Sequence, residues 1–368
     1  MGRIRRGMLA SVVAALAAAV VLHAQQPQRP SSFTPAGTIP VLESYLESLR
    51  QQTGIPGMSA ALVRDGDPAW EKGFGYENVT TRVRATPDTP YLVGDLTSTL
   101  AAVLVLECVE QRRVALDEPF ATYGLSAPEP SVTLRQLLSH NPPGTTRDAF
   151  AYSPERFAHI TELMEWCAPQ PFRKSVAHRI LDRLAMQDSV PGTDWNDPTL
   201  SLPDGLFDDA DRDRYRAVLN RIAVPYKVQG RSKVERNDLP AAGINAIGGL
   251  VSTVRDLAKF DEALDAADAG GLLQVDTLVA AWTPASGPLG TLSPMGLGWF
   301  VQYYKGERLV WHFGSVPGAY SSLILKLPER HMTFILLANS DGLSSSFDLA
   351  QGDVTKSLFA SLFLKLAT

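Results

Sequence analysis

Tyr91-Leu-Val-Gly-Asp-Leu-Thr-Ser-Thr-Leu-Ala-Ala102 is the stretch from which the rest of the chain is read. It opens a long apolar segment that runs to about Arg113. Thr86-Pro-Asp-Thr-Pro90 ahead of it is a loop, because a helix interior rejects proline. From Leu100 to Leu106 every position is apolar, so the helix is expected to be buried rather than amphipathic. Gly94 or Asp95 falls where the helix should begin, and aspartate is a favoured N-cap. The first turn of a buried helix facing a cleft suits a nucleophile or an anion, since its free N–H groups and dipole favour negative charge. Asp95 is therefore expected to be held ionised there.

This stretch resembles the nucleophile helix of serine β-lactamases of the class C type and of their penicillin-binding peptidase and esterase relatives. That helix reads Phe/Tyr-x-x-Gly/Ala-Ser-x-Thr-Lys-x-hydrophobic-Thr/Ala-Ala. In the family, Ser-x-x-Lys supplies the nucleophile and, one turn on, the lysine that helps deprotonate it. Here Asp95 stands at the serine position and Ser98 at the lysine position. No lysine in the chain follows a serine by three residues, and no Gly-x-Ser-x-Gly elbow occurs.

The flanking sequence keeps the frame. Val41–Thr53 has helical spacing and stops before Gly54-Ile-Pro-Gly57. Met58–Arg64 and Ala69–Tyr76, joined by Asp65-Gly-Asp67, read as a hairpin. This opening also resembles the family's. Residues 115–240 lean helical, with Leu134–Ser139, Pro154–Cys167, Val176–Ala185 and Ala210–Ile222 as the best segments. Gly248-Gly-Leu-Val-Ser-Thr-Val-Arg-Asp-Leu-Ala-Lys259 is among the closest matches to the family. Strand-like runs follow at Gly298–Tyr304, Leu309–Phe313, Tyr320–Leu327 and Met332–Ala338, and Leu343–Leu366 reads as a closing helix. Strands at both ends around a helical middle imply an α+β architecture: an antiparallel sheet flanked by helices, with an inserted all-helical lobe. The resemblance covers residues 38–366.

Two more motifs bear on chemistry. The family's Tyr-Ser/Ala-Asn appears as Tyr152-Ser-Pro154, so the tyrosine remains and the amide is lost. Proline cannot make the hydrogen bonds by which asparagine orients a substrate amide. Without the family, Ser153 and Pro154 read as the cap and first turn of a helix. Lys/His-x-Gly appears as His312-Phe-Gly314, followed by Ser315. The resemblance implies that Gly314 lets a substrate backbone lie along the strand. It further implies that the Ser315 N–H, with that of Asp95, forms an oxyanion hole. A charged His312 would pair with Asp95.

At 368 residues, 45% hydrophobic and 20% charged, the composition is that of a soluble globular protein. Arg3, Arg5 and Arg6, the 15-residue apolar run Met8–Leu22 and Ala24-Gln-Gln have the form of a secretion signal over residues 1–24. Fifteen residues are too few to span a bilayer, although a retained signal anchor is the alternative. A flexible leader, 25–37, follows. Signal removal moves the net charge from −5 to −8, which argues against nucleic acid or anionic membrane as partners. The protein is thus expected to be exported, to the periplasm or beyond. Cys108 and Cys167, both in expected helices, read as buried free thiols, though export permits a bridge. The six histidines lack metal-site spacing, so neither metal nor cofactor is expected.

With nucleophile, lysine and amide all altered, the expectation is a β-lactamase-fold protein without acyl-serine activity. It would bind a small molecule, a peptide, a cell-wall fragment or a protein partner in the cleft formed by Asp95, Ser98, Tyr152, Pro154, His312, Gly314 and Ser315. The alternative is a hydrolase of esters, amides or D-amino-acid peptides with rewired residues, Ser98 as displaced nucleophile or Asp95 as general base. A purely structural role is a third reading, and the sequence leaves the oligomeric state open.

Overall fold

The computed structural model describes residues 35–143, 150–200, 202, 205–230, 233–266, 271–285 and 292–368. The signal segment and nearly all of the leader lie outside these residues. Pro35 to Gly37, read as leader, belong instead to the first turn of the helix Pro35–Thr53.

The main sheet has seven antiparallel strands, here numbered in chain order: β1 (Gly57–Arg64), β2 (Asp67–Asn78), β3 (Val83–Arg84), β4 (Phe300–Tyr304), β5 (Glu307–Val316), β6 (Tyr320–Leu327) and β7 (Met332–Ala338). Their spatial order is β3-β2-β1-β7-β6-β5-β4, so the two ends of the chain meet where β1 pairs with β7, Ser59 opposite Leu337. Strands β6 and β7 are buried along their whole length, with centres Leu323–Leu325 and Phe334–Ala338 apolar on both faces rather than alternating, while β6 also buries Ser321, Ser322 and Lys326. The Asp65-Gly66 turn takes positive φ at both residues, 53° and 86°, as a tight hairpin of this hand requires.

Helices cover both faces. Leu42 and Leu46 of the first helix and Phe359 and Phe363 of the last pack with Met58, Ala60, Trp311 and Phe313 on one side. On the other, the helix Thr97–Glu110 lies in the larger core with Ala61, Val310, Ile324 and Leu337. This helix is buried from Thr97 to Cys108, as its all-apolar stretch Leu100–Leu106 demands. The helix Val254–Asp265 is pinned to the sheet by a buried ion pair between Asp261 and Lys326 of β6.

Several local features differ from the sequence reading. The lobe is not all helical: Tyr226–Gln229 and Lys233–Arg236 pair as a hairpin, and Val190–Pro191 joins a small sheet with Leu250–Ser252 and Tyr91–Leu92. Pro154–Cys167 divides into Pro154–Phe157 and Ile160–Cys167. The closing helix is only Leu358–Ala367, because positive φ at Asp348 and Gly352 breaks the preceding segment into 3-10 turns.

Cys108 and Cys167 are bonded to each other, contrary to the free-thiol expectation. The helices carrying them pack side by side, bringing the Cα atoms to 6.5 Å, within bridging range. That proximity is tertiary and leaves no trace in the 59-residue spacing.

Candidate functional site

The site is built where the Asp95 turn meets β5. The α-helix starts at Thr97, and Gly94–Leu96 before it is a 3-10 turn with no side-chain cap. Asp95 therefore does not cap the helix, and its carboxyl is free to turn toward the strand. Two glycines allow the contact. A Cβ on Gly314 would lie 1.9 Å from the Val93 carbonyl oxygen, and one on Gly94, at φ 59°, would lie 2.9 Å from the Ser315 nitrogen. The Ser322 hydroxyl on β6 donates to that Val93 carbonyl at 2.7 Å and completes the seam.

Across this seam the backbone N–H groups of Ser315 and of Asp95 itself lie against the Asp95 carboxyl and pull its pKa down. These are the two groups that the resemblance assigns to an oxyanion. Burial nevertheless pushes the carboxyl up to about 7, against the pull of the two donors, and the charge of Glu155 adds to the rise. The expectation of a permanently ionised Asp95 is corrected on this point, because withdrawal from water outweighs the first-turn donors.

Alternation along β5 sends Trp311 and Phe313 to one face and His312 to the other, toward the Asp95 helix. His312 is fully buried, and its Nδ1 lies 2.7 Å from the Phe313 carbonyl oxygen. A carbonyl only accepts, so Nδ1 carries the proton and Nε2 is the acceptor. Ser98, also buried, donates its hydroxyl to Nε2 at 3.0 Å. Burial holds the imidazole down at about 4. His312 is therefore neutral at physiological pH and partners Ser98, not Asp95 as a charged histidine would.

Tyr152 forms the third side. Its ring centroid lies 6.3 Å from that of His312 and 5.4 Å from that of Phe313. Burial, then the charges of Asp95 and Glu155, push its phenol well above the ordinary value, so it keeps its proton. Ser153 caps the short helix that begins at Pro154, and Pro154 gives the cleft no donor. Asp95, Ser98, Tyr152, His312, Gly314 and Ser315 thus gather from three stretches of chain, and Pro154 follows Tyr152 as the first residue of the short helix.

One residue of this wall escaped the sequence reading. His140 is buried and stacks on Tyr152 at 4.6 Å and on Phe157 at 5.4 Å. Its Nδ1 accepts the Ser153 N–H at 2.9 Å, and burial holds the ring down at about 3. Nothing in Leu137-Leu-Ser-His140 announces this role, which depends on a backbone turn at φ 53°. Among the described residues, no cluster of His, Cys, Asp and Glu could hold a metal ion.

Residues 42–354 match the family described as Beta-lactamase. The chain belongs to this family. Among its β-lactamase-family relatives, the unguisins hydrolase ungD' of Aspergillus campestris is 26% identical over 344 residues, covering 82% of this chain and 62% of that protein. Protein flp of Staphylococcus aureus is 25% identical over 329 residues, 81% of this chain and 62% of flp. The chain thus spans somewhat less than two thirds of these relatives. Among solved structures, the octameric penicillin-binding protein homologue from Pyrococcus abyssi superposes with a TM-score of 0.70 at 23% identity, over 89% of this chain and 77% of that one. The D-alanine carboxypeptidase AmpC from Burkholderia cenocepacia gives 0.65 at 19%, over 91% and 98%. These two establish the shared β-lactamase fold.

Proposed function

We propose that this β-lactamase-family, serine-hydrolase-like protein is an exported pseudoenzyme that binds a small molecule, a peptide or a cell-wall fragment in its cleft without acyl-serine chemistry. The observation that carries the reading is Asp95 at the serine position, in a turn closed onto Ser315 of β5, with the N–H groups of Ser315 and Asp95 beside its carboxyl. A carboxyl there takes the donors that would stabilise a developing oxyanion, and its charge opposes that development. It also replaces the serine hydroxyl, while Ser98 at the lysine position brings no amine. Export is supported by the form of residues 1–24 and by the Cys108–Cys167 bridge, since disulfides persist in oxidising compartments.

Intact-protein mass spectrometry after exposure to penicillin is the test of lost acylation. No adduct is expected, and a stoichiometric penicilloyl adduct on the unmutated protein would overturn the reading. Thermal stabilisation by cell-wall peptides tests the binding half.

A second reading, hydrolysis by rewired residues, is favoured by the Ser98–His312 hydrogen bond of 3.0 Å. A serine donating to a neutral imidazole is a nucleophile–base pair in form. Burial of both groups and the low basicity of His312 weigh against it. Turnover of a chromogenic cephalosporin or a short-chain nitrophenyl ester, lost in Ser98→Ala, would establish it.

A further inference from the structure

Lys326 interrupts the apolar end of β6, opposite Thr333 of β7 in the register of the sheet, and is only 1% exposed. Asp261 and Asp265 stand one turn apart on the helix Val254–Asp265, so both side chains reach the same part of the sheet. The Lys326 Nζ donates to the fully buried Asp261 carboxyl, to Asp265 at 3.1 Å and to the Thr333 hydroxyl at 3.2 Å. The buried Trp282 ring covers the nitrogen, with its centroid 5.5 Å from Nζ. An amine and a carboxyl are thus held in contact inside the core. A second carboxyl, 32% exposed, touches the same nitrogen and reaches toward the surface.

Withdrawing two charges from water is costly, and their attraction repays it only in part. Passing one proton from Lys326 to Asp261 gives a neutral amine and a neutral acid, the form that a dry interior accepts most readily. Burial pushes the Asp261 carboxyl up toward that acid against the pull of Lys326, and the charge of Asp265 adds to the rise. Holding the two groups together also makes their reaction unimolecular. We propose that Lys326 and Asp261 condense into an intramolecular isopeptide bond, with Asp265 as the proton carrier. The Nζ lone pair attacks Cγ of Asp261 and forms the C–N bond. Asp265 takes a proton from the nitrogen and hands it to the departing hydroxyl. The Cγ–O bond breaks with its electron pair on oxygen, and water leaves. The sum is one amide and one water from one ammonium and one carboxylate, with no oxidant or co-reactant. The bond staples the helix Val254–Asp265 to β6 across a separation of 65 residues, and Trp282 shields it from hydrolysis.

Tryptic digestion of the reduced and denatured full chain, followed by mass spectrometry, tests this. Trypsin cuts after a free Lys326, which precedes Leu327, but not after an acylated one. The expected product is a branched peptide that joins the segment starting at Phe260 to the segment holding Lys326. Its mass should be one water less than the sum of the two. Fragmentation should place the branch at Asp261, and a branch at Glu262 or Asp265 overturns the assignment. Complete cleavage after Lys326, with the Phe260 peptide at its full mass, overturns the proposal outright, and this result needs no variant to fold. In freshly expressed Asp265→Asn the cross-linked fraction should fall at least about tenfold, because an amide carries no proton between nitrogen and oxygen. A fraction equal to that of the wild type overturns the role given to Asp265.

Discussion

Ser98 and His312 are 214 positions apart in sequence, yet the serine hydroxyl donates to the imidazole Nε2 at 3.0 Å in the interior of the protein. The residue that replaces the family's lysine has thus become the hydrogen-bond partner of the third-motif histidine. Each satisfies a polar group that the other would leave stranded. The pair is accounted for by burial alone, whether or not it takes part in chemistry.

Removing Ser98 tests that account. Ser98→Ala leaves the buried Nε2 acceptor without a partner, which costs about 1–3 kcal/mol. Urea denaturation should place the variant lower by that amount. An unchanged midpoint would mean that water or another donor takes over the imidazole.

Restoring acylation takes more than one change. Asp95→Ser frees the N–H groups of Ser315 and residue 95 but gains no base, so reaction with penicillin should remain negligible. Asp95→Ser combined with Ser98→Lys recovers both elements of Ser-x-x-Lys and has the best chance of a penicilloyl adduct by mass spectrometry. Equal labelling of the single and double variants would show that the lysine position is not what limits acylation.

The raised carboxyl of Asp95 gives a pH signature with a definite sign. Its folded value of about 7 lies above that of an unfolded aspartate, near 4. The native state therefore holds this proton more tightly, and the associated stability is complete below about pH 4 and lost as pH rises through about 7. Asp95→Asn removes the titration. The variant should gain stability over wild type above pH 7, with the gain shrinking toward pH 4. Denaturation curves across that range measure the difference, and a gain that grew on acidification would contradict the burial of the carboxyl.

The Cys108–Cys167 bridge ties the helix behind Asp95 to the helical lobe. Closing a loop of 59 residues restricts the unfolded chain by about 4 kcal/mol in the chain-entropy account. Cys108→Ala with Cys167→Ala should lower stability by up to that amount, and reduction of the wild type should mimic it. If neither treatment moves the unfolding midpoint, the bridge contributes nothing to stability.

Gly314 tests the seam itself. A methyl group there would meet the Val93 carbonyl oxygen at 1.9 Å, so Gly314→Ala must part the Asp95 turn from β5. The expected cost is about 3 kcal/mol or more. Full stability in the alanine variant would mean that the turn and strand are not in contact.

The sequence by itself determined the scaffold. The apolar centres Leu323–Leu325 of β6 and Phe334–Ala338 of β7, an all-apolar Leu100–Leu106 and the Asp65-Gly66 turn are local patterns, and each points to an element that the structure contains. The motif positions Asp95, Tyr152 and His312 were likewise legible because a family frame gives them order along the chain. Only the tertiary structure decided what those residues do to one another. Whether Asp95 is ionised depends on how much water the seam between Gly94 and Gly314 excludes, and burial outweighs the pull of the neighbouring backbone N–H groups. Which group His312 meets depends on the strand's register against a helix far away in sequence, and it meets Ser98. The disulfide and the stacking of His140 on Tyr152 arise the same way, from helices and loops brought side by side. Local sequence carries propensity and periodicity, but a pKa, a hydrogen-bond partner and a bridge are properties of distance and dielectric, which exist only once the chain has closed on itself.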